Sequence, residues 1–182
     1  MNEKNKIRAS KFMSLVLRHN PSAGNLEMDA YGFVAVESLL KALSKRGLGV
    51  MRAELDELVA TNNKRRFAFS ECGTKIRAVQ GHSIPIDLGY EVREPPEVLY
   101  HGTVERELNN IFSKGLLSMS RQHVHLSVDI ETALSVGKRH GSGVIVLIVR
   151  ARDMYEAGHS FYLADNGVWL ADHVSSDFIE MQ

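Results

Sequence analysis

The segment Arg121-Gln122-His123-Val124-His125-Leu126-Ser127 places a cation, an imidazole or a hydroxyl at every second position. Successive side chains of an extended strand point to opposite faces. Arg121, His123, His125 and Ser127 would then share one face, and Val124 and Leu126 the other. With the apolar pair turned inward, that row can line a cleft for an anionic ligand. The plain alternative is an ordinary solvated strand face. Arg18-His19 closes a helical stretch, where cations also complement the helix dipole and cap free carbonyls without any ligand. Lys64-Arg65-Arg66 opens a predicted hairpin and, taken alone, reads as a wet surface. Tyr100-His101-Gly102-Thr103 is predicted to end a strand and start a helix. Its glycine would permit close backbone approach to a ligand, and Thr103 would cap a helix whose first N–H groups suit an anion. His123 and His125 by themselves suggest a metal, but no cysteine or acidic residue sits at ligand spacing nearby, so none is expected.

These residues need elements to hold them. In the first half, helices are predicted over residues 7–19, 36–46 and 52–62. The first carries Phe12, Leu15 and Val16 on one side, and the second places Val36, Leu39, Leu40 and Leu43 at helical spacing before Gly47. Strands over residues 66–70 and 75–80 follow, joined by the turn Glu71-Cys72-Gly73-Thr74. Three helices and a hairpin make a winged-helix pattern, which as fold analogy does not establish function. In the second half, strands are expected over residues 98–101, 122–127 and 143–150, with helices from Thr103 to about Lys114 and from Asp129 to His140. A hairpin follows, with residues 161–163 and 168–170 joined across Asp165-Asn166-Gly167, and a last strand covers 178–181. The seam is residues 84–97, which hold three of the four prolines. The expectation is an α+β protein of two domains, residues 1–92 and 97–182.

Charge changes sign at the same seam. Residues 1–93 carry 15 Lys/Arg against 10 Asp/Glu, and residues 94–182 carry 7 against 12, although the whole chain is neutral. Such polarity can offer a basic face to a polyanion. Cys72 is the single cysteine, so there is no internal disulfide framework, which fits a reducing cytosol. Neither an apolar leader nor a run long enough to span a bilayer appears, and a cytoplasmic protein without membrane attachment is expected. The patterns GxxxxGK[ST], GxGxxG and GxSxG are absent, which argues against P-loop ATPase, Rossmann dehydrogenase and serine hydrolase readings.

Several longer stretches, in order through nearly the whole chain, resemble the RNA 2′-phosphotransferase family that acts on spliced tRNA. They are residues 10–19 (SKFMSLVLRH), 29–34 (DAYGFV), 64–67 (KRRF), 76–83 (IRAVQGHS), 99–103 (LYHGT), 115–121 (GLLSMSR) with 123–127 (HVHLS), and 166–170 (NGVWL). The resemblance implies an N-terminal winged-helix lobe that binds RNA and a C-terminal ADP-ribosyltransferase-like lobe that binds NAD, both serving one site. It implies that Arg18, His19, Arg66 and Arg121 are catalytic, Arg66 being chosen over Arg65 because the family arginine directly precedes the aromatic. It also implies that His101, Gly102, Thr103, His125 and Ser127 seat NAD, which is consumed as a co-substrate. The implied partner is a tRNA-like RNA bearing an internal 2′-phosphate, acted on by a monomer in tRNA splicing and processing.

The implied chemistry has two steps. The RNA 2′-phosphate attacks the nicotinamide ribose and releases nicotinamide. The ribose 2-hydroxyl of the resulting ADP-ribosylated RNA then attacks phosphorus, freeing RNA with a 2′-hydroxyl and ADP-ribose 1″,2″-cyclic phosphate. Arginine forks suit phosphate oxygens and stay charged at working pH. Val168-Trp169-Leu170-Ala171 lacks the late glutamate of many protein-modifying ADP-ribosyltransferases, and a phosphate nucleophile, already ionised, needs no base. Two other readings stand beside this one. One is ADP-ribosylation of RNA ends or other acceptors without phosphate removal. The other is a winged-helix nucleic-acid-binding regulator that senses NAD or a related nucleotide.

Overall fold

A computed structural model describes residues 1–62 and 65–182 of the chain, which divides into two compact units, Met1–Gly89 and Tyr90–Gln182. Both mix α-helix with small antiparallel sheets.

The first unit opens with α1 (Glu3–Arg18), whose end is capped by the Asn2 side chain accepting from the Asn5 N–H at 2.9 Å. Ala9, Phe12, Met13, Val16 and Leu17 are buried, the i, i+3, i+4, i+7, i+8 stripe of a helix that packs on one face. Leu15, expected among them, falls off that stripe and is exposed. β1 (Val34–Ala35), α2 (Val36–Lys45), α3 (Arg52–Ala60), β2 (Phe67–Phe69) and β3 (Lys75–Ala78) follow. The strands form one antiparallel sheet in the order β1-β3-β2, with Val34 opposite Ile76 and Phe67 opposite Ala78. β1 was not foreseen, because two residues are too few to show a period. The β2–β3 turn closes where expected: Gly73 adopts a φ of 68°, and its N–H donates to the Ser70 carbonyl at 2.8 Å. Leu39, Leu43, Leu55 and Ile76 join the α1 stripe in a single core.

The second unit contains β4 (Val98–Val104), α4 (Leu108–Lys114), β5 (Leu116–Leu117), β6 (Val124–Leu126), α5 (Ile130–Gly137), β7 (Val144–Arg150), α6 (Ala151–Glu156), β8 (Phe161–Leu163), β9 (Trp169–Ala171), β10 (His173–Val174) and β11 (Ile179–Met181). β7 is the centre of one sheet, β11-β7-β4, and pairs with β4 over all seven residues from Val98↔Arg150 to Val104↔Val144. A second sheet runs β6-β9-β8, and β5 pairs with β10. The expected hairpin forms as β8–β9, with Leu163 opposite Trp169 and Gly167 at a φ of 82° in the turn.

Thr103 does not cap a helix. The β4 strand continues through it to Val104, because β7 offers a partner for every residue that far, and a short 3-10 turn at Glu105–Glu107 precedes α4. Gly102 does not bring its open side to a ligand. A Cβ built there would overlap the Ala133 carbonyl oxygen of α5 and lie 2.9 Å from the Gly137 nitrogen. Glycine at this position lets α5 rest directly on β4.

Candidate active site

In the first unit, one short segment organises three of the expected residues. Arg66 enters β2, and its carbonyl accepts the Val79 N–H at 3.0 Å as β3 leaves the sheet. The chain then passes Gly81, at a φ of 86°, whose missing Cβ would lie 3.7 Å from the Arg18 guanidinium carbon. Two residues on, the Ser83 N–H donates to the Arg18 carbonyl at 3.0 Å, and Ser83 Oγ lies 2.9 Å from His19 Nδ1. Residues 79–83 thus hold Arg66, Arg18 and His19 to one stretch of backbone. Arg65, at a φ of 39°, is exposed, and Lys64 lies outside the described residues.

Sequence reasoning did not single out Arg77, His82 or Ser83 as site residues, although they stand in the quoted stretch 76–83. Arg77 stacks its guanidinium 4.7 Å from the Phe33 ring and donates from Nη1 to the Tyr31 carbonyl at 3.3 Å. His82 is 1% exposed. Burial, reinforced by the positive charges of Arg18, His19 and Arg77, pushes its pKa down to about 3, with the Leu17 carbonyl pulling weakly the other way. His82 is therefore neutral packing beneath a cationic surface.

Unfolded, His82 titrates near its ordinary value of 6.5, so between about 6.5 and 3 the unfolded state binds more protons and stability falls as pH falls. At pH 5 this one group should cost on the order of 2 kcal/mol relative to pH 7. Urea unfolding followed by helical circular dichroism should show His82→Asn losing less stability than wild type between those two pH values. Equal losses would contradict the burial argument.

In the second unit, His101, Arg121 and His125 meet. Nδ1–H of His101 donates to the His125 carbonyl at 3.1 Å, which fixes the tautomer with the lone pair on Nε2. Burial drives the His101 pKa down, partly offset by that hydrogen bond and assisted by His140 and Arg121, so the ring stays neutral. Arg121 sits in a turn closed by its N–H on the Ser118 carbonyl, 3.0 Å, and reaches from Nη1 to His125 Nδ1 at 3.4 Å. Partial burial, and then the charge of Arg139, lower its own pKa from the ordinary arginine value, and an arginine remains charged. Thr103, on the His101 face of β4 by strand alternation, is buried.

The strands also fix where backbone groups point. Tyr100 exchanges both of its hydrogen bonds with Ser127, each 2.8 Å, so its N–H and C=O face β6 and not β7. Two residues on, the N–H and C=O of Gly102 face that same edge, where β6 has turned to pair with β9. The expected row of Arg121, His123, His125 and Ser127 holds in part. His123 engages the Tyr162 ring at 5.5 Å, the Tyr90 ring at 6.1 Å and Asp172 at 3.5 Å, and takes no part in the His101–Arg121 cluster. Among the described residues no group of three or more His, Cys, Asp or Glu could hold a metal ion, and no helix is long and apolar enough to cross a membrane.

His101→Ala removes the neutral acceptor of this cluster. On the expectation that this cluster seats NAD, the substitution should weaken NAD use roughly tenfold, the scale of one lost buried hydrogen bond. RNA affinity should change less than twofold. Titrating each ligand separately checks this, and equal losses for both would make His101 a structural residue.

Residues 4–173 match the family described as "RNA 2'-phosphotransferase, Tpt1 / KptA family". A protein of Trichormus variabilis named "Probable RNA 2'-phosphotransferase" is 48% identical over 181 residues, covering 100% of this chain and 99% of that one. Proteins of the same printed name from Herpetosiphon aurantiacus and Fusobacterium nucleatum are 47% and 44% identical, covering 100% and 97% of this chain and 100% and 98% of their own lengths. With the match running through both units and all of the residues just described, the chain belongs to the RNA 2′-phosphotransferase family.

Proposed function

We propose that this protein is an NAD-dependent RNA 2′-phosphotransferase, transferring an internal RNA 2′-phosphate to NAD. The observation that carries the NAD half of the reading is the buried, neutral His101, its tautomer set by the His125 carbonyl and with Arg121 alongside. A lone pair on Nε2 suits a sugar hydroxyl, and a guanidinium suits phosphate oxygens. The N–H and C=O of Gly102, directed to the β6 side of β4, offer the donor–acceptor pair that a carboxamide requires. His101, Gly102, Thr103, His125 and Ser127 would hold the dinucleotide, and its labile nicotinamide bond supplies an electrophilic sugar carbon. Gly102 serves through its backbone, since its open side belongs to α5.

Arg18, His19 and Arg66 of the first unit take the RNA phosphate, and Arg121 of the second stands beside His125 among the residues assigned to the dinucleotide. In the first step an oxygen of the 2′-phosphate bonds to the sugar carbon as the bond to nicotinamide breaks. In the second step the adjacent ribose hydroxyl bonds to phosphorus, the bond to the RNA 2′-oxygen breaks, and the proton passes to that departing oxygen. The order α1-β1-α2-α3-β2-β3 supports reading the first unit as a winged-helix lobe, and the paired sheets of the second unit support an ADP-ribosyltransferase-like lobe. The natural setting is tRNA processing in the cytoplasm.

The test mixes the protein, NAD and a short RNA bearing one internal 2′-phosphate, with product masses as the readout. Nicotinamide, 2′-hydroxyl RNA and ADP-ribose 1″,2″-cyclic phosphate are expected. ADP-ribosylated RNA as the end product would establish transfer to RNA without phosphate removal, and no nicotinamide release would leave a nucleic-acid-binding protein.

A further inference from the structure

We propose that Ser83 is a positioning residue for His19, and the proposal rests on the reading that His19 acts on the RNA phosphate. His19 is exposed and stands at the C-cap of α1, with its backbone N–H on the Leu15 carbonyl at 3.0 Å. Helix ends fray, and an exposed imidazole can turn about two side-chain bonds. A histidine that must present one chosen nitrogen to a phosphate needs a second anchor. Ser83 supplies it from 64 residues away: its N–H holds the Arg18 carbonyl at 3.0 Å and its Oγ meets His19 Nδ1 at 2.9 Å. One residue thus fastens two consecutive members of the proposed phosphate site.

Ser83 is itself well placed to be rigid. The residue before it, His82, is buried to 1% exposure and pins the segment into the core of the first unit. Before that, the φ of 86° at Gly81 turns the chain past the Arg18 guanidinium. The choice of a hydroxyl also has a chemical reason. A serine both donates and accepts, so it can donate to Nδ1 when that nitrogen carries the lone pair and accept from it when the ring is charged. With Oγ accepting from Nδ1–H, the contact survives gain or loss of a proton at Nε2, the nitrogen on the far side of the ring from Ser83. A carboxylate in the same place would favour the charged ring and restrict that cycle. The charges of Arg18, His19 and Arg77 all bear on His82, the neighbour of Ser83 in the chain.

The experiment compares wild type, Ser83→Ala and Ser83→Thr as full chains. It measures kcat and KM for the 2′-phosphorylated RNA and records the imidazole 15N resonances of His19. Ser83→Ala should lower kcat about tenfold, the scale of one lost hydrogen bond, with KM within twofold. Its Nδ1 resonance should move, and Ser83→Thr, which keeps the hydroxyl, should restore both. A kcat for Ser83→Ala within twofold of wild type, or a His19 spectrum unchanged by the substitution, overturns the proposal. If the wild type itself makes no cyclic-phosphate product, the reaction assignment fails, and the Nδ1 resonance still decides whether Ser83 holds the ring.

Discussion

Arg66→Ala is expected to slow the second step of the proposed reaction about 100- to 1,000-fold, the usual loss when one donor to a developing oxyanion is removed. ADP-ribosylated RNA should then accumulate. In the first step the reacting phosphate attacks a sugar carbon whose bond to cationic nicotinamide is already labile. The strain on that transition state is at carbon, and the arginines mainly place the nucleophile. In the second step phosphorus itself is attacked, so negative charge grows on its oxygens and on the departing RNA oxygen. A guanidinium there meets charge that exists only in the transition state, and such contacts act on rate. Arg66 is suited to this by its attachment: the Val79 N–H ties its backbone to the segment that also holds Arg18 and His19. Labelled RNA resolved on a denaturing gel over time would show the intermediate as a slower band. If Arg66→Ala is slow overall and the band never builds up, the division of labour between the steps is wrong.

Gly102→Ala should destabilise the second unit by about 3 kcal/mol, the upper end for overpacking a core, because the atoms in the way are backbone and cannot rotate aside. The added Cβ overlaps the Ala133 carbonyl oxygen and lies 2.9 Å from the Gly137 nitrogen, so α5 must lift from β4. For a unit of this size the shift in Tm should be on the order of 10–20 °C. The single tryptophan, Trp169, is buried on β9 and reports on this unit by fluorescence. Lifting α5 also displaces the edge of β4 that carries His101, so NAD use should fall along with stability. Gly49→Ala, where a Cβ meets nothing within 4 Å, is the control. A Gly102→Ala protein that melts within a few degrees of wild type would show that the helix gives way at little cost.

The elements around the candidate site were legible because their local signals were strong. The α1 stripe, the β2–β3 turn at Gly73 and the Asp165-Asn166-Gly167 turn each depend on neighbours a few positions away, so periodicity and turn chemistry located them. Arg18-His19, Arg66 and Arg121 stood out by residue type within long motifs. Leu15 was misplaced because a stripe read from three apolar residues left the direction of the buried face undecided, and only packing chose it.

The sequence by itself determined the family and most elements, since these follow from motif order and local pattern. Tertiary structure decided what each of those residues touches. Thr103 lies in a strand because Ile145 of β7 pairs with it from far along the chain, and Gly102 is a seat for α5 because that helix returns there. His123 joins Tyr90 and Tyr162 and leaves His125 to Arg121 and His101. Ser83 reaches His19 across 64 residues. Local preference can bias a backbone but carries no information about which distant segment will supply the partner atom, and hydrogen bonding, burial and pKa are all set by that partner.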